Sequence, residues 1–179
     1  MKQYYTEKSY KDLLSHMILL VDTRESSNKE ITDWFDRNGV NWKQRALKTG
    51  DYGFMVESCP ELGFPVDTYF SDEICIERKN SVSELAGNIA NATKDDDRIF
   101  KEFNRMINIE KNYVLIENDS MEDIFKENYK TKLNPTSFLR TLLTWQSRNN
   151  MHIYFVKREY MGMMIYELCK NCLDSKILK

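Results

Sequence analysis

The chain has 179 residues, 41% hydrophobic and 30% charged, with 26 Lys and Arg against 28 Asp and Glu and a formal net charge of −2. That length suits one complete hydrophobic core rather than two, and the mixture is that of a soluble globular protein rather than a disordered or membrane-embedded one. A slightly acidic balance argues against nonspecific coating of DNA, although basic residues can still gather on one face.

No apolar run approaches the ~20 residues of a membrane-spanning helix, and the N-terminal residues lead into charges rather than a signal stretch, so a cytoplasmic location is expected. His16 and His152 stand apart in the sequence, which excludes chemistries built on an imidazole base with histidine partners. Cys169 and Cys172 have metal-ligand spacing, but no second pair completes a zinc site, and the flanking Met163, Met164, Ile165, Leu168 and Leu173 read as a packed helix.

In chain order, residues 17–22 are a short apolar run that predicts a buried strand ending at Asp22. Ser27 and Glu30 have the spacing of a capping box, opening a helix through Trp34 and Phe35 that Gly39 would end. Residues 40–48 and 52–57 read as strands joined by a tight turn at Gly50-Asp51, and residues 58–65 as a loop. A strand beginning at Ile74 should run out near Lys79, because Ser81 and Glu84 start a new helical pattern. An amphipathic helix follows over 98–109, a core strand over 113–116, a helix over about 135–149, a strand over 152–156 and a last helix over about 159–173. This alternation predicts an α/β fold with a largely buried central sheet.

The acidic residues fall at the ends of those strands. Asp22 ends the first, Asp51 lies in a turn, and Glu77 and Lys79, two apart, point to one side of their strand while Arg78 points to the other. Hard carboxylate oxygens hold Mg²⁺, and a lysine beside a metal-activated water can neutralise charge developing on a phosphate. Charged residues at strand ends also simply meet solvent, and these residue types alone leave both readings open.

The wording around them resembles one family. Val21-Asp22-Thr23-Arg24-Glu25, Gly50-Asp51-Tyr52 and Ile76-Glu77-Arg78-Lys79 are similar, in order and spacing, to the VDxRE, GDY and ERK motifs of the XPF/Hef structure-specific endonucleases. Val114-Leu115-Ile116-Glu117 resembles that family's apolar strand ending in Glu. The resemblance implies a restriction-endonuclease-like fold, a central mixed sheet flanked by helices. It implies a single nuclease domain over 1–179, with 1–16 an N-terminal extension and 17–175 the core. Asp22, Asp51 and Glu77 would bind Mg²⁺, for which Mn²⁺ would substitute. Glu25 would lie nearby, and Arg24, Arg78 and Lys79 would contact or polarise the phosphate.

Three departures accompany the likeness. Ser83 stands where the family has an Asp, with Glu84 one residue later. Asp95-Asp96-Asp97-Arg98 replaces an NGR-like turn, leaving Arg98 as the counterpart of the family arginine. No helix-hairpin-helix module is recognisable, so grip on DNA would come from a dimer mate, a separate targeting partner, or basic residues such as Arg45 and Lys48. The expected activity is metal-dependent hydrolysis of DNA phosphodiesters at branched or junction DNA, in repair or recombination. Two alternatives are a noncatalytic DNA-binding or scaffold subunit, and a phage or mobile-element nuclease without junction preference. The dense apolar content of residues 135–173 predicts a homodimer interface there, unless residues 1–16 fold back as a helix over that face.

Overall fold

The computed structural model describes residues 4–92 and 98–177, except for the side chains of Arg98 and Glu102. Asp95–Asp97 lie outside the described residues, and of Arg98 only the backbone is described. Helix α1 (Glu7–Ser15) opens on a reciprocal cap between Thr6 and Ser9. Strand β1 (Met17–Val21) is buried along its whole length, as its unbroken apolar run requires.

Helix α2 (Lys29–Arg37) departs from its expected start. The Ser27 capping box does not form, because Asn28 occupies the cap position and makes no side-chain cap bond. The Asn28 amide instead donates to the Glu25 carbonyl at 2.9 Å, tying the helix to the turn after Asp22. Gly39, at φ 64°, follows the helix end as expected.

The expected pair of strands at 40–48 and 52–57 is a second correction. Strand β2 (Trp42–Gln44) keeps three residues and runs parallel to β1, whereas β3 (Tyr52–Val56) runs antiparallel to β1 on its other side. The two never pair, and Gly50-Asp51 is not a hairpin turn. After Gln44 the chain leaves the sheet to place the Leu47 amide on the Asp22 carboxylate at 2.7 Å. Gly50 then takes φ 76° against the neighbouring strand, where a Cβ would stand 2.5 Å from Cys75 Sγ and 3.0 Å from the Ile76 carbonyl oxygen.

The 58–65 loop contains a 3₁₀ turn at Pro60–Leu62, closed by pairing of Cys59 with Phe64, and leads into β4 (Thr68–Tyr69) against β3. Strand β5 (Ile74–Lys79) is followed by α3 (Val82–Ala90), which Ser81 caps as its spacing predicts. The remaining elements are α4 (Arg98–Met106), β6 (Lys111–Glu117), α5 (Met121–Phe125), α6 (Pro135–Asn149), β7 (Met151–Val156) and α7 (Arg158–Ile177). The short α5 was not expected, although Ser120 and Asp123 form its capping box.

The sheet runs β2-β1-β3-β5-β6-β7, with β4 paired to β3. Strands β5, β6 and β7 are mutually parallel, as the helical crossovers between them require. Strand β3 is antiparallel to both β1 and β5, which makes the sheet mixed. One face, with Leu19, Val21, Phe54, Ile76 and Leu115, packs against Leu13, Phe35, Ile165 and Cys169 from α1, α2 and α7. The other, with Cys75, Val114 and Ile116, packs against α3, α4, α5 and α6. No described helix is long and apolar enough to cross a membrane.

Helix α7 is more enclosed than its sequence suggests. Gly162 lets α2 approach so closely that a Cβ would stand 2.8 Å from Cβ of Trp34. Helix α1 also reaches α7, where the Tyr10 hydroxyl donates to Asp174 at 2.6 Å. Residues of the N-terminal extension therefore do cover part of the C-terminal helix. Leu143, Tyr154, Tyr160 and Met163 stay exposed.

Candidate active site

Three neighbouring strands bring the acidic residues to one end of the sheet. The Asp22 amide donates to the Asp51 carbonyl at 2.8 Å, and the Asp51 amide donates to the Ile76 carbonyl at 2.8 Å. Main-chain bonds thus fix residues 22, 51 and 76 side by side. Alternation along β5 then turns Glu77 and Lys79 to the face that carries Cys75, and Arg78 to the face that carries Ile74 and Ile76. Lys79 Nζ donates to Glu77 Oε1 at 2.6 Å, and both side chains are buried. Asp51 accepts the Arg78 main-chain N–H at 2.8 Å.

Asp22 is the most enclosed of the three carboxylates, at 1% exposure. Its Oδ1 accepts the Arg24 amide at 2.8 Å and Arg24 Nε at 2.7 Å, and its Oδ2 accepts the Leu47 amide at 2.7 Å and Arg24 Nη2 at 3.1 Å. Burial raises the pKa of this carboxyl, but the hydrogen bonds from Arg24 and Leu47 outweigh it and hold the group below the usual carboxylate range. The hydrogen bond to Asp22 makes the Arg24 guanidinium a still weaker acid, and the charges of Asp51 and Glu77 add to the effect. Arg24 is thus the countercharge of Asp22, whereas Glu77 is paired with Lys79.

Arg78 and Glu25 are brought together on the opposite face. Arg78 Nη1 donates to Glu25 Oε1 at 3.0 Å, and Arg78 Nε donates to Glu117 Oε2 at 2.9 Å. Glu117 has no exposed surface and also accepts from Arg158, the first residue of α7. The Tyr52 hydroxyl is buried with no hydrogen-bond partner among the described residues, and burial, then the charge of Glu25, pushes its pKa up. Sequence reasoning placed Arg78 away from Glu77 but did not include Glu117 or Arg158 in the site. The available signal was a glutamate closing an apolar strand, directly beside the strand of an inward-pointing arginine.

Among the basic residues expected to touch DNA, Arg24 donates to the carbonyl of Leu47, the residue before Lys48, at 3.0 Å. Arg45 follows β2, its amide bonded to the Val21 carbonyl at 2.9 Å, with its guanidinium over the Tyr69 ring at 4.3 Å. Lys48 is exposed and lines a cavity of about 300 Å³ together with Leu20, Leu47 and Ile74. Cys169 and Cys172 are buried in the packed face of α7.

By donor chemistry, Asp22, Asp51 and Glu77 suit a hard divalent cation such as Mg²⁺ or Mn²⁺. In the arrangement described, Asp22 is closed by Arg24 and Leu47. Among the described residues, no three His, Cys, Asp or Glu side chains stand close enough together to hold an ion.

A mixed sheet between helical layers, with carboxylates and a lysine at one end of its central strands, defines the restriction-endonuclease-like fold of an XPF-type nuclease domain. The ERCC4 domain profile matches residues 21–165, and the chain belongs to this family. XPF from Aeropyrum pernix superposes with a TM-score of 0.62 at 18% identity, covering 89% of this chain and 68% of that one. The same archaeal XPF in complex with DNA superposes with a TM-score of 0.56 at 18% identity, covering 89% of this chain and 65% of that one. At that identity the likeness establishes the shared fold. No curated protein matches the chain in sequence.

Proposed function

We propose that the chain is a metal-dependent DNA endonuclease that hydrolyses phosphodiester bonds at branched or junction DNA. The observation that carries this reading is the gathering of Asp22, Asp51, Glu77 and Lys79 at one end of the sheet, on three strand ends linked by main-chain hydrogen bonds. Asp22, Asp51 and Glu77 would hold Mg²⁺, with Mn²⁺ able to substitute. The ion, when bound, polarises the scissile phosphate and lowers the pKa of a water molecule.

The chain's own residues do the rest. Lys79, held beside Glu77, offers positive charge where the phosphorane develops negative charge. Arg24 offers a planar fork suited to a phosphate, and Arg45, Lys48 and Arg98 are the further DNA contacts. Arg78 and Glu25 are paired behind the strand, and the main-chain N–H of residue 78 orients Asp51. The archaeal XPF complex with DNA supports DNA as the substrate class.

A noncatalytic DNA-binding subunit draws on a specific observation too, the closure of Asp22 by Arg24 and Leu47. We assign the exposed apolar residues of 135–173 to a homodimer interface, and hold open a separate protein that directs the domain to DNA. A role in repair or recombination follows from junction cleavage.

The test is incubation of purified protein with labelled duplex, single-stranded, flap and fork DNA, with Mg²⁺, Mn²⁺ or EDTA. Cleavage that requires the ion, prefers flap or fork, and disappears in Asp51→Asn supports the proposal. Binding without cleavage of every substrate selects the scaffold reading instead.

A further inference from the structure

An ionised carboxylate offers about four acceptor positions, two on each oxygen. Asp22 has all four occupied. The Arg24 and Leu47 amides take one position on each oxygen, and the Arg24 guanidinium, through Nε and Nη2, takes the other position on each. The two amides belong to the main chain and stay. The guanidinium is 69% exposed and, among the described residues, is held otherwise only by a 3.0 Å bond from Nη2 to the Leu47 carbonyl. Swinging it outward opens one position on each Asp22 oxygen without disturbing the core.

We propose that Arg24 is the resident counter-ion of the metal site, closing Asp22 until a DNA phosphate draws the guanidinium away, so that metal loading and DNA binding are coupled. The inference rests on the metal-dependent reading above. Its physical basis is competition between cations. A divalent ion that approaches the site meets a guanidinium already bonded to both oxygens of Asp22, and pays both the lost bonds and the repulsion of like charge. A phosphate in the cleft offers that same guanidinium an equivalent bidentate partner. Reciprocity then requires that metal strengthen DNA binding by the factor with which DNA strengthens metal binding.

The direct test is Mn²⁺ affinity, read from the electron paramagnetic resonance signal of the free ion, which needs no turnover. Wild type, Arg24→Gln, Arg24→Lys and the Asp22→Asn/Arg24→Gln double variant are titrated without DNA, and again with a duplex whose phosphorothioate linkages slow cleavage. Without DNA, Arg24→Gln is expected to bind Mn²⁺ tighter than wild type by on the order of tenfold, the scale of a lost charged hydrogen bond. Arg24→Lys, which keeps the charge but not the fork, should fall between, and the double variant should lose the gain. The duplex should raise affinity in wild type more than in Arg24→Gln.

Equal or weaker Mn²⁺ binding by Arg24→Gln, with wild type still binding the ion on DNA, overturns the role of Arg24 and leaves the metal site standing. Absence of saturable Mn²⁺ binding by every protein, with and without DNA, overturns both.

Discussion

Glu117, on β6, accepts two hydrogen bonds from the guanidinium of Arg78 on the neighbouring strand, and both side chains are almost fully enclosed. Removing one member of such a pair leaves the other charge in a poorly solvating interior. Glu117→Ala should therefore lower stability by about 3–5 kcal/mol, measured by denaturant unfolding, with Glu117→Gln costing less. A Glu117→Ala protein as stable as wild type would show that Arg78 finds solvent or Glu25 sufficient.

Lys79→Met should slow the single-turnover cleavage rate by roughly 100-fold or more, as expected for loss of a group acting on transition-state charge, while DNA affinity changes little. Lys79 faces the carboxylates rather than open solvent, so its charge serves the reacting phosphate more than the length of the strand. An unchanged rate with a large loss of affinity would reassign it to ground-state contact.

Gly50→Ala should destabilise the fold by about 1–3 kcal/mol from backbone strain alone, and further because its Cβ would collide with Cys75 Sγ and the Ile76 carbonyl. The double variant Gly50→Ala/Cys75→Ala should recover only part of the loss, since the carbonyl remains. Thermal unfolding of the three proteins measures this. Full recovery would attribute the cost to the sulfur.

Burial raises the pKa of Cys59, lifts Cys169 well above the ordinary thiol value, and pushes Cys172 up to about 11. The thiolate is the reactive form, so raised pKa values mean slow labelling of the folded protein near pH 8. Thiol titration should detect none of these three quickly, and all four cysteines once guanidinium unfolds the chain. Rapid native labelling of Cys172 would contradict its place in the packed face of α7.

Sedimentation at micromolar concentration should show twice the monomer mass of 21.4 kDa, with exposed Leu143, Tyr154, Tyr160 and Met163 buried between copies. A species of monomer mass at every concentration would instead mean that α1 and α2 give α7 all the cover it needs.

The parts of this molecule legible in its sequence are those governed by short-range periodicity. The 74–79 strand, with Glu77 and Lys79 on one side and Arg78 on the other, and the Ser81-capped helix after it follow from alternation and spacing alone. Strand partners do not. Residues 40–48 carry strand-like composition, yet only Trp42–Gln44 pair, and with β1 rather than β3; beyond them the Leu47 amide is committed to Asp22. Ser27 and Glu30 likewise satisfy a capping pattern that the tertiary position of Asn28 overrides. The carboxylates were recognisable from the motifs around them. The closure of Asp22 was not, because Leu47, whose amide shares that carboxylate with Arg24, lies 25 residues away in the chain.

The main-chain bonds that join residues 22, 51 and 76 ask nothing of the side chains they carry. The address of the site is written in the backbone and its chemistry in three replaceable carboxylates. A descendant of this chain could exchange every one of them for a neutral isostere, keep its sheet in register, and survive as a silent copy that occupies the same ground without cutting.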